Sequence, residues 1–206
     1  MMRLAMAVCA AALLTACNDQ AAAPVAENAP PTTAAERPAP NPLKNAYFGD
    51  LHLHTRNSFD AYIFNVRASP DEAYAYAKGG TIKHAAGFDL KMNSGPLDFL
   101  AVTDHSEYLG VLPAINTEGD PYSKVPYAKE LFSTDQVQVN TAFRKFADTL
   151  NVGKRMEEYS DLRTVKSAWH DIIESAKRNY EPGKFTTPVG YEYTSAPQGS
   201  NLHRNV

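Results

Sequence analysis

Apolar positions fall into two spacings along this chain, one suited to strands and one to helices. Residues 46–54, AYFGDLHLH, predict a first strand that runs into a polar loop. Ser69-Pro70-Asp71-Glu72 is a helix start: Ser can accept N–H bonds as N-cap, Pro fits the first helical position, and two acids face the positive end of the helix. That helix, Asp71 to Lys78, stops at Gly79-Gly80, and residues 81–91 predict a short hairpin or an irregular excursion. Residues 97–103, LDFLAVT, form a short apolar run closed by Asp104-His105, a second and buried strand. Residues 110–133 are rich in Pro and Tyr and predict irregular structure.

Two amphipathic helices follow. From about Thr134, Val139, Phe143, Phe146, Ala147 and Leu150 recur at helical spacing. From Ser160, Leu162, Val165, Trp169, Ile172, Ile173 and Ala176 share one face, and Pro182-Gly183 closes the element. Residues 185–193 predict a third strand ending at Glu192, and Leu202 to Val206 the start of a fourth. Strands alternating with helices argue for an α/β fold with a parallel sheet. A full (β/α) barrel takes roughly 250 residues, so the folded region, 43–206, is expected to be the N-terminal part of a longer domain and inactive alone.

The start of the chain is different. Arg3 followed by an apolar stretch from Leu4 to Leu14 has the length of a signal peptide's hydrophobic region, too short for an ordinary transmembrane helix. Leu14-Thr15-Ala16-Cys17 resembles a bacterial lipobox, which implies cleavage after residue 16, acylation of Cys17 and a lipid anchor on the periplasmic side of a membrane. Residues 17–42 are rich in Ala and Pro and have little to bury, so they predict a solvated tether. Both cysteines, Cys9 and Cys17, lie in this leader, which excludes a disulfide-stapled fold. The net charge is −3, with no clustered Lys and Arg, so no nucleic-acid surface is expected.

The chemistry lies at the strand ends. His52 and His54 stand two apart, so alternation puts both imidazoles on one face. Asp60 follows in the polar loop, Asp104-His105 closes the second strand, Glu192 the third, and His203 comes shortly after. The C-terminal ends of parallel strands are where α/β folds gather their sites. A mixed nitrogen and oxygen donor set suits zinc, manganese or iron better than calcium. Asp104 is placed to orient His105 or to cap a backbone amide, Glu107 to support the site, and Arg204 to grip a phosphate oxygen or to form a surface ion pair. His84 and His170 predict ordinary surface positions.

The segments Tyr47 to Thr55 and Phe99 to His105 resemble the first two motifs of the polymerase-and-histidinol-phosphatase (PHP) metal-dependent superfamily. Pro70-Asp71-Glu72-Ala73-Tyr74, Pro96 through Gly110, Gly190 through Ser195 and Asn201 through Val206 more closely resemble a family of exported bacterial proteins, domain of unknown function 3604. The resemblance implies a distorted (β/α)7 barrel, of which this chain would hold the first three to four strands. It implies a metal held by His52, His54 and Glu192, a second bridged by Glu192 to His203, and a third shared by Asp60 and His105. Further ligands would come from later motifs. The expected function is metal-dependent hydrolysis of a small-molecule ester, most of all a phosphate ester, with two to three ions. An amidohydrolase-type enzyme and a non-catalytic metal-binding lipoprotein are the alternatives.

Overall fold

A computed structural model describes residues 41–206 except 126, 127, 153 and 160. The signal peptide, Cys17 and nearly all of the tether lie outside the described residues. Among those described, no helix is long and apolar enough to cross a membrane.

Strand β1 (Gly49–Leu53) pairs in parallel with β4 (Phe99–Val102), as the two apolar runs predict. Gly49 is required at this pairing, because a Cβ there would lie 2.3 Å from the carbonyl oxygen of Phe99. On the other side of β4 the segment 186–192 also runs parallel, bridging Phe99 to Thr186, Val102 to Val189 and His105 to Glu192. β4 is therefore central, and Leu100, Ala101 and Val102 are buried, as expected of a strand covered on both faces.

The expected third strand is displaced. Residues 186–191 touch β4 only through isolated bridges, and the regular strand β5 is Glu192–Ser195. The expected fourth strand, β6 (Leu202–Asn205), does not join a parallel sheet; it folds back antiparallel on β5 with His203 opposite Thr194 and Arg204 opposite Tyr193. The reversal is made by Pro197–Gly199, where Gln198 and Gly199 adopt φ of 56° and 82°. The fold is mixed helix and strand with small sheets, none of them closed. β2 (Ile82–Lys83) and β3 (Asp89–Leu90) make the short hairpin of the excursion.

Helix α2 (Pro70–Ala77) begins with a full capping box: Ser69 Oγ accepts from Glu72 N, and the Glu72 carboxylate accepts from Ser69 N at 2.8 Å. Its buried face, Ala73, Tyr74 and Ala77, packs with Leu100 and Val102 of β4 and with Ile172 and Ala176 of α5 (Leu162–Asn179). Leu162, assigned to that face by spacing, is exposed at the first turn. A second core gathers Phe59, Tyr62, Tyr108, Leu112, Phe146 and Tyr159. It joins α4 (Gln136–Asn151) to two short helices that the sequence did not mark: α1 (Phe59–Ile63) in the loop after β1, and α3 (Val111–Ile115) within the Pro- and Tyr-rich stretch.

Candidate metal centre

The parallel strands end on one side, and the polar residues that close them meet there. His52 and His54 leave β1 with ring centroids 5.1 Å apart, and His105, just past β4, lies 4.7 Å from His54. Glu192, at the start of β5, is fully buried among them. Its Oε2 lies 2.7 Å from His54 Nε2, 3.2 Å from His52 Nε2 and 3.4 Å from His105 Nδ1. Its Oε1 lies 2.7 Å from His203 Nδ1. Asp60, in the first turn of α1, faces His54 Nδ1 at 3.1 Å and His105 Nε2 at 3.6 Å.

All six predicted ligands therefore converge, in three overlapping groups: His52, His54 and Glu192; His54, Asp60 and His105; His105, Glu192 and His203. Donor atoms held about 2.1 Å from one ion lie roughly 3.0–3.4 Å from each other, close to the spacings around Glu192. The contacts are not hydrogen bonds in direction: among the described residues neither Glu192 oxygen nor His54 Nε2 has a hydrogen-bond partner. Buried polar atoms are rarely left in that state. A carboxylate ringed by ring nitrogens fits a cation between them.

One set of tautomers would leave both inner imidazoles able to act as ligands. His54 can donate from Nδ1 to Asp60, and His105 from Nδ1 to Thr194 Oγ1 at 2.5 Å. Each then turns an Nε2 lone pair inward, the pattern that supporting partners impose on metal-binding histidines. Phe59 stacks on the His105 ring at 4.7 Å and fixes its plane.

The electrostatics follow from burial against pairing. Burial raises the Glu192 carboxyl, but the imidazoles of His105, His54, His203 and His52 outweigh it and hold it below the usual range. Burial raises the Asp60 carboxyl, but the neighbouring His105 ring and the bonds from His54 and Ser58 outweigh it and leave it well below the usual range. His54 is lowered by burial and raised more by its Asp60 bond and the surrounding carboxylates.

The supporting residues differ in part from expectation. Asp104 takes the backbone-capping role: its carboxylate accepts from the Thr55 amide and, at 2.7 Å, from Thr55 Oγ1. Burial raises its carboxyl to about 6 against those bonds. It thus ties the loop after His54 to the end of β4. Glu107 accepts from the Thr194 amide at 3.3 Å and so holds β5 in place. Arg204 follows His203 in β6 and, by strand alternation, takes the opposite face, beside Tyr193. His84 stacks on Phe88 away from the cluster, and His170 is exposed on α5.

Three contributors were missed: Thr55, Thr194, and Ser58, which donates to Asp60 at 2.6 Å and accepts from the His105 amide. Their only signal was position, each one to four residues from a ligand.

A family model described as a protein of unknown function (DUF3604) matches residues 41–206, and the chain belongs to that family. No curated protein and no solved structure matches it.

Proposed function

We propose that this cluster holds two to three divalent transition ions (zinc, manganese or iron) and that the protein is an exported, lipid-anchored hydrolase of ester bonds, phosphate esters above all. On this reading the three parallel strand ends belong to a PHP-like barrel rim. The observation that carries it is Glu192, buried, anionic and without a hydrogen bond at the meeting point of four imidazoles.

Such ions, when bound, would take a phosphoryl oxygen, acidify a water and stabilise the leaving oxygen. The chain's own residues set the stage for that. His52 is half exposed and marks the solvent side of the cluster, while Glu192 and His105 form its buried floor. Asp60 and Thr194 hold protons on His54 Nδ1 and His105 Nδ1, so those rings cannot turn a proton toward the substrate. Phe59 closes one side against water.

The test is metal analysis of the full natural protein, purified without chelator, alongside E192Q. At least one equivalent of transition metal is expected in the parent, and a large loss in the variant. Well under one equivalent in the parent would overturn the proposal. Phosphate esters set against amides and lactones then identify the bond; cleavage of the latter alone would mark an amidohydrolase-type enzyme.

A further inference from the structure

The turn that follows His105 builds a second site. Ser106, Glu107 and Tyr108 form one wall of a cavity of 270 Å³, Tyr193 and Thr194 another, and Lys154 and Arg155 close it from the loop after α4. Thr194 belongs to both places: its hydroxyl holds His105, and it lines the cavity. The cavity therefore adjoins the metal cluster across a single residue.

Its chemistry is distinct from that of the cluster. Among the described residues Arg155 Nη1 is buried without a hydrogen-bond partner, although a guanidinium offers five donors that are costly to leave unused. The guanidinium carbon stands 5.6 Å from the Tyr108 ring centroid. Among the described residues Glu107 forms no ion pair with it; that carboxylate accepts from Thr194 N and from Ser106 Oγ at 3.0 Å. Lys154 and Arg155 against Glu107 leave one net positive charge, which matches a singly charged group. Tyr193 and Leu150 add apolar lining.

The loop bearing Arg155 is also held in advance. Tyr108 Oη accepts from Met156 N at 2.9 Å and pairs with Thr149 Oγ1 at 2.5 Å. Tyr108 does this from a left-handed backbone, φ 57°, which costs a non-glycine residue of this size and persists only where its surroundings fix it.

We infer that this cavity binds a carboxylate carried on a small aromatic or apolar body, the part of the substrate remote from the ester cleaved at the metal cluster. The inference rests on the hydrolase reading for the word substrate, but the binding itself does not need metal. Arg155 is the specificity residue and Lys154 its electrostatic support.

The test uses benzoate, titrated by calorimetry into the full chain stripped of metal at pH 8, where the cluster's role as a cation site cannot contribute. The parent should bind benzoate, and R155Q should weaken binding about tenfold or more, as loss of a charge-assisted bond does. R155K, which keeps the charge without the fork, should fall between them. K154Q, a change at an exposed side chain that leaves the fold intact, should weaken it about threefold, and decides the matter if R155Q fails to fold. Equal affinity in the parent and K154Q together with R155Q, or no binding by the parent, overturns the inference. The two readings separate cleanly. Benzoate bound through Arg155 in a protein that takes up no metal leaves the subsite standing and removes the hydrolase; metal uptake without benzoate binding does the reverse.

Discussion

Replacing Thr194 by Val tests the proposed metal centre at its most specific point. Valine has nearly the shape of threonine, so the buried strand position stays filled and the Thr194 amide still donates to Glu107. Only the hydroxyl is lost, and with it the 2.5 Å partner of His105 Nδ1. The freed N–H has one near alternative, Glu192 Oε2 at 3.4 Å. Turning toward it spends a lone pair of the central carboxylate and rotates the Nε2 of His105 away from Asp60. Removing an orienting partner of this kind lowers metal affinity by about 10–100-fold, or roughly 1.4–2.7 kcal/mol. Competition against a chromophoric chelator at pH 8 reads that loss directly, and a thermal melt of the metal-free protein reports any effect on folding separately. An affinity within twofold of the parent, with an unchanged melt, would show that His105 is not a ligand held by Thr194, and the tautomer assignment would fall with it.

Other consequences are equally measurable. Y108F leaves Met156 N without its acceptor, at a cost of about 2 kcal/mol, so the melting temperature should drop by about 4–8 °C; an unchanged melt would remove the support claimed for the Arg155 loop. Asp71 joins α2 to the last turns of α5 through Ser175, Arg178 and Asn179. Burial raises its carboxyl, but those bonds outweigh it and hold it below the ordinary 3.8. A carboxyl lowered on folding stabilises fully above its unfolded value and loses that effect as pH falls through the folded one. D71N should therefore be less stable by about 1 kcal/mol at neutral pH, the group being half exposed. The gap should close below about pH 4, and a gap that stays constant from pH 7 to 3 would contradict the pairing.

The candidate site was more legible than the fold around it. His52 and His54 could be assigned to one face because strand periodicity is exact at a spacing of two, and their partners lay at ends of apolar runs. The capping box at Ser69 was visible because it depends on four consecutive residues alone. What stayed hidden depends on distant contacts. Helix α1 is five residues long and carries no side-chain cap, so nothing local announces it; Phe59 and Tyr62 are held by the core they enter. The direction of β6 was misjudged because alternation fixes which face a residue takes, not which neighbour the strand pairs with. Pro197-Gln198-Gly199 held the clue, a turn sequence suited to reversal, between two segments taken as successive parallel strands. Asp104 was left open between two roles, and only the meeting of β1 with β4 decided it.

That reversal makes loop length a chemical variable. In the β5–β6 hairpin, the side chains presented toward Glu192 are selected by parity: His203 stands opposite Thr194, while Leu202 and Arg204 occupy the alternate positions. Inserting or deleting a single amino acid between Ala196 and Asn201 shifts the pairing by one step and exchanges every inward side chain for its neighbour. An imidazole would then give way to an isobutyl group or a guanidinium, with no ligand codon altered. Indels in this short connection are accordingly expected to be as damaging as substitution of His203 itself, whereas paired indels that restore parity should be tolerated.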